Sequence, residues 1–271
     1  MITRADLQRL ANREKLALGT LEKDYVLTEA LKALSDVQGL SQLLVFKGGT
    51  ALRKVYFSDW RYSEDLDFTA GHDITKSELN EYLEKWYGEV KQASQIQLVT
   101  KMLHKPNGYA RVRTQFTGPL AYPGMIFMDL SFDEPLCLEP ENRKILTTPF
   151  ADSEERVLVY PLEELLAEKM RSLLERGKAR DYYDVWRILK EHSSNLDLIT
   201  LSSVLNKKIT HKGLALHNIN EFLPTDIDGL RHYWEKDLEA QIYSLPTLDE
   251  VLKELEILLE KLIAPHLQYS S

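Results

Sequence analysis

The sequence predicts an α+β fold: a small mixed sheet with its helices over residues 1–158, then an α-helical domain over residues 159–271. Three features lead there. Short apolar or alternating runs, punctuated by Gly, Pro and Asn-Gly, crowd the first part of the chain. From Leu162 onward apolar residues recur at helical spacing instead. The 271 residues suit one large domain or two modest ones at roughly 150 residues each.

In chain order, residues 4–36 read as two helices, with Leu7, Leu10 and Ala11, then Tyr25, Val26, Ala30, Leu31 and Leu34, at helical spacing. Residues 43–46 are a short apolar run that stops at Gly48-Gly49, a buried strand turning into a helix over 51–57. Residues 65–69 alternate as a half-buried strand does, and 77–90 are helical again. Strands follow at 96–102, 109–117 and 125–132, the first two joined by Asn107-Gly108, a strong hairpin signal. Residues 134–152 hold Pro135, Pro140 and Pro149 and little periodicity, and the domain boundary is expected there or just beyond, near Val159-Tyr160-Pro161. Helices then run to the end, broken at Gly177, around 211–213, at Pro224 and at Pro246.

Composition narrows the function classes. Apolar residues make up 44% and charged ones 28%, as in soluble globular proteins, and no apolar window is long enough to span a membrane. The N-terminal stretch is a charged helical pattern without the apolar core of a secretory signal. A single cysteine, Cys137, excludes an intrachain disulfide and a multi-cysteine zinc site, and points to a reducing, cytoplasmic setting. With 34 Lys+Arg against 42 Asp+Glu the net charge is −8. That argues against coating nucleic acid by bulk charge but leaves a local basic surface open. No DNA partner is expected. The histidines have no metal-ligand spacing, and the P-loop pattern is absent.

The chemistry-bearing residues fall into four groups. Gly48-Gly49-Thr50 lies between a strand and a helix, where glycine lets backbone approach a phosphate and the helix start offers N–H groups. The same pair alone would simply make a tight turn. Asp65 and Asp67 sit two apart on a strand, so both carboxylates point to one face while Leu66 and Phe68 point to the core. Mg²⁺ is held by one or two carboxylates plus substrate phosphates, which suits this pair, with Mn²⁺ as a substitute. Asp129, between Met128 and Leu130, has the same polar-outward sense and is the expected third metal ligand. Three strand carboxylates beside a Gly-Gly turn suit metal-assisted phosphoryl chemistry.

The fourth group lies in the helical part. Lys169 is set among Leu165, Leu166, Ala167 and Leu173, where it could reach from a buried face into a cleft. Asp181 and Asp184, at i and i+3, share one face of the next helix. Arg171, Arg176, Lys178 and Arg180 make this stretch basic within an acidic chain and are the residues expected to form a local docking surface for nucleic acid.

With these groups assembled, the chain resembles the AbiEii/AbiGii toxin family, nucleotidyltransferase-like toxins of type IV toxin–antitoxin and abortive-infection systems. Three blocks carry the resemblance: Phe46-Lys47-Gly48-Gly49-Thr50-Ala51-Leu52, then Arg61-Tyr62-Ser63-Glu64-Asp65-Leu66-Asp67-Phe68, and Leu166-Ala167-Glu168-Lys169 leading to Arg180-Asp181-Tyr182-Tyr183-Asp184. The resemblance implies a polymerase-β-type nucleotidyltransferase core joined to a helical domain, with an NTP as donor and, as in some relatives, the 3′ end of tRNA as acceptor. It implies that Gly48, Gly49 and Thr50 hold donor phosphates and that Ser63, Asp65 and Asp67 form the metal motif. Lys169 would contact the triphosphate and Asp184 would be an essential acid, orienting either Lys169 or the acceptor. A cognate antitoxin partner is implied by the family, as is control by a charge placed on Ser63. The rival readings are transfer to a protein or small-molecule acceptor, and a catalytically idle nucleotide-binding module. A metal-dependent nuclease would leave Gly48-Gly49-Thr50 unexplained.

Overall fold

Seven strands organise the first part of the chain: β1 (Leu44–Lys47), β2 (Asp65–Ala70), β3 (Gln97–His104), β4 (Tyr109–Thr117), β5 (Pro123–Ser131), β6 (Glu141–Lys144) and β7 (Arg156–Val159). They form one mixed sheet in the order β3-β4-β5-β2-β1-β7-β6. β2 is parallel to β5 and β1 to β7, and every other neighbouring pair is antiparallel. Residues 2–267 and 269 are described in this computed structural model. The chain divides into two compact units, one running to Leu136 and including Pro140–Val159, the other comprising Cys137–Glu139 and the chain from Tyr160.

The helices of the first unit are α1 (Arg4–Glu14), α2 (Leu18–Leu34), α3 (Leu40–Leu43), α4 (Gly48–Ala51) and α5 (Lys76–Ser94). Thr3 with Asp6, and Thr75 with Glu78, form reciprocal caps that fix where α1 and α5 begin. The apolar face of the sheet is set by alternation: Leu66, Phe68, Ala110, Val112, Met128 and Leu130 are buried. Phe68 meets Phe46 and the edge of Trp86 on α5, whose indole N–H donates to the Ala30 carbonyl of α2 at 2.7 Å. Burying Leu66 and Phe68 stabilises the unit by roughly 2–3 kcal/mol each. A one-residue slip of β2 would exchange them for Asp65 and Asp67, so the core fixes which way the two carboxylates face.

The stretch 134–152, which shows little periodicity, contains β6, and β7 follows directly. Together they extend the sheet beyond β1. β6 is Glu-Asn-Arg-Lys on a partly exposed edge, so no apolar alternation marks it. The helix expected over 51–57 starts at Gly48, and Leu52–Tyr56 form a π-helical turn.

The second unit is helical: α6 (Leu162–Glu175), α7 (Ala179–His192), α8 (Leu198–His211), α9 (Ile227–Leu238) and α10 (Leu248–Leu258). Leu166, Met170, Val185, Ile188, Leu205 and Leu255 are among its buried residues. A buried ion pair also ties it together, Lys208 to Glu164 at 2.9 Å. Glu164 accepts as well from the backbone N–H groups of Cys137 and Leu138, both at 2.9 Å, which holds Cys137–Glu139 in this unit. No helix among the described residues is long and apolar enough to cross a membrane.

Candidate active site

The turn that leaves β1 is built on glycine for a geometric reason. Gly48 has φ +79, in the left-handed region, and a Cβ there would lie 2.2 Å from Oδ2 of Asp67. Asp67 is therefore pressed against the turn backbone. A Cβ on Gly49 would lie 2.7 Å from the Arg61 guanidinium and 3.3 Å from the Ser63 hydroxyl. Gly48, Gly49, Ser63 and Asp67 are thus brought together, and the β1–β2 register sets Lys47 opposite Asp67. Thr50 stands in the same turn. Its hydroxyl donates to the Asp65 carbonyl, which ties the start of α4 to the start of β2.

Beneath this turn lies a buried charge cluster that the sequence did not reveal. Asp24 of α2 pairs with Arg53 at 3.3 Å and with Lys54 at 2.8 Å, and all three are buried. The Arg53 guanidinium also lies 3.5 Å above the Tyr62 ring and donates to the carbonyls of Ser58 and Trp60. Burial pushes the Lys54 ammonium down to about 8, although Asp24 opposes the shift. Burial likewise pushes Tyr62 up to about 12. Breaking a buried pair of this kind costs about 3–5 kcal/mol, so the cluster is a strong anchor for the turn and for the segment that carries Ser63. Adjacent cationic residues on a short helix ordinarily read as solvated, which is why Arg53 and Lys54 were missed.

Asp67 and Asp129 are register partners on the parallel strands β2 and β5. The Asp129 carboxylate accepts from the Tyr109 hydroxyl and faces Arg111 at 3.7 Å. Burial, together with that hydrogen bond and charge, raises the Tyr109 phenol well above its ordinary range. Among the described residues, no three His, Cys, Asp or Glu side chains gather closely enough to hold a metal by themselves. The carboxylate expected as a third ligand, Asp129, meets Tyr109 and Arg111 in this structure. Asp65 and Asp67, two hard oxygen donors beside a turn without side chains, fit Mg²⁺ whose other ligands come from phosphates and water.

In the second unit, Lys169 of α6 places its Nζ 3.2 Å from Asp181 and 2.9 Å from Asp184, both fully buried on α7. Arg176 reaches Asp181 at 3.1 Å. Burial alone would raise the Asp181 carboxyl, but Lys169 and Arg176 together hold it below the usual carboxylate range. The i, i+3 pair thus grips one ammonium from one helix face. Of the basic residues expected to form a docking surface, Arg171 is buried and paired with Glu175 at 2.7 Å, so it is not part of one. Lys178 is exposed and Arg180 half-buried.

The fold is shared with known proteins. MenT4, a nucleotidyltransferase toxin from Mycobacterium tuberculosis H37Rv, is similar in fold, with a TM-score of 0.74 at 19% identity over 98% of this chain and 92% of that one. A structure from H. pylori described as a candidate nucleotidyltransferase is also similar, with a TM-score of 0.59 at 20% identity over 93% and 97% of the two chains. No curated relative matches the sequence. The profile of the AbiEii family, described as nucleotidyl transferase toxins of type IV toxin–antitoxin systems, matches residues 29–254. The chain belongs to the AbiEii family and is a nucleotidyltransferase toxin of a type IV system.

Proposed function

We propose that this toxin transfers a nucleotide from an NTP to the 3′ end of tRNA, with Asp65 and Asp67 as its metal-binding pair. The observation that carries the reading is the contact of Asp67 with the glycine turn: backbone and carboxylate converge where no side chain intervenes. When bound there, Mg²⁺, or Mn²⁺ in its place, would neutralise donor phosphate charge. Gly48 and Gly49 let the donor phosphates approach the backbone, and Ser63 and Thr50 line and brace that approach. Lys169 supplies a cation for the triphosphate, and Asp184 positions Lys169 rather than the acceptor, as their 2.9 Å separation favours. Transfer of this kind depends on positioning and charge neutralisation, so no covalent nucleophile is required. NTP and tRNA place the reaction in the cytoplasm, and a cognate antitoxin is the partner expected from the family.

The test is transfer from each of four α-labelled NTPs to bulk tRNA, with an EDTA lane and Asp65→Ala protein as controls. Label on tRNA that vanishes in both controls supports the reading. Label on protein or on a small molecule alone would replace the acceptor, and undiminished transfer by Asp65→Ala would overturn the metal pair.

A further inference from the structure

The face of the sheet that carries Asp65, Asp67 and Asp129 continues across β5, β4 and β3. Strand register places Asp67 beside Asp129, Asp129 opposite Arg111, and Phe127 opposite Arg113. On β3 the bulge sets Lys101 and Met102 near Arg113, and His104 pairs with Arg111. This part of the face is open: Arg111, Arg113, Lys101 and His104 are exposed and Phe127 is half-buried. The Arg111 guanidinium lies 4.9 Å from the Phe127 ring centre, so an aromatic face and a cation stand side by side next to the acids.

Charge singles this region out. Within β3, β4 and β5 the charged residues are Lys101, Arg111 and Arg113 against Asp129 alone, in a chain of net charge −8. Arg113 forms no ion pair among the described residues, and the one acid stands at the end nearest Asp67. From β2 to β3 the face spans three inter-strand steps, about 14 Å at ~4.8 Å each. Arginines beside an aromatic ring suit a single nucleic-acid strand, with phosphates on the cations and a base on the ring. A polar protein surface would not need the ring.

We propose that Phe127, Arg111 and Arg113 form the docking platform for the 3′-terminal nucleotides of an RNA acceptor, leading its terminal hydroxyl toward Asp67. The proposal rests on the tRNA-acceptor reading above and locates that acceptor on the sheet, not on the basic stretch around α7.

The experiment compares full-length wild type with Arg113→Ala, Arg111→Ala/Arg113→Ala, Phe127→Ala and the conservative Phe127→Tyr, each checked for an unchanged circular dichroism spectrum. The readouts are KM for tRNA, KM for the NTP, and the salt dependence of tRNA binding. Phe127→Ala should raise the tRNA KM about tenfold or more, as loss of a stacked base does, and Phe127→Tyr should restore it. The double arginine variant should flatten the salt slope by about 1.4, the value for two phosphate contacts to a single strand. In each case the NTP KM should stay within twofold. Wild-type labelling of tRNA with an unchanged tRNA KM and salt slope in all variants would overturn the platform and leave the acceptor reading intact. Failure of the wild type to bind or label tRNA would overturn both.

Discussion

Replacing Gly48 by alanine tests whether the turn holds Asp67 in place. Two costs can be worked out. The left-handed backbone at φ +79 costs a non-glycine residue about 1–2 kcal/mol. The added Cβ would also sit 2.2 Å from Oδ2 and 3.0 Å from Cβ of Asp67, where ordinary contact begins at 3.4 Å. Rotating the carboxylate relieves the first clash and not the second, because the strand fixes the Asp67 Cβ. The carboxylate must therefore move by about 1 Å, a displacement that can cost on the order of 100-fold in rate. Melting should fall by roughly 4–8 °C for about 2 kcal/mol in a unit of this size. The control is Gly88→Ala, on α5 with nothing within 4 Å of its new Cβ, which should raise the melting temperature slightly and leave transfer intact. A folded Gly48→Ala protein that transfers within threefold of wild type would refute the reasoning.

Three other perturbations follow from the same geometry. Asp184→Asn leaves Lys169 with only one of its two buried carboxylates, and the unit should lose about 3 kcal/mol while NTP affinity falls; denaturant unfolding and nucleotide titration read both, and an unchanged NTP affinity would contradict the positioning role. Lys54 is held at about 8 against about 10.4 in an unfolded chain, so between those values the unfolded state carries the extra proton and stability rises with pH. Urea midpoints across that window should climb in wild type and flatten in Lys54→Met, whereas parallel curves would show that Lys54 does not cause the rise. Ser63→Glu puts a carboxylate next to Gly49, where the Ser63 hydroxyl stands 3.3 Å from a built Cβ; transfer should be lost with melting unchanged, and full activity would remove Ser63 from the site.

The alternation of Leu66 and Phe68 with Asp65 and Asp67 was readable because burial of one pair dictates exposure of the other. Asn107-Gly108 was equally plain, since a hairpin needs the positive φ that Gly108 adopts at +72. β6 was not readable: Glu141–Lys144 becomes a strand through its pairing with β7, a contact distant from any local pattern. Lys169 could be singled out by its place on an apolar helix face and Asp181 with Asp184 by their shared face, but that both carboxylates hold Lys169 emerges only once α6 and α7 are packed. The burial of Arg53, Lys54 and Arg171 was hidden for the same reason: a cation reads as solvated until its buried partner is found.

The most direct test of the central claim uses tRNA whose 3′-terminal ribose has been opened by periodate, alongside intact tRNA and the same labelled NTP. Transfer to the 3′ hydroxyl predicts label on intact tRNA and none on the oxidised sample. Equal labelling of the two, or label that follows neither, would contradict it.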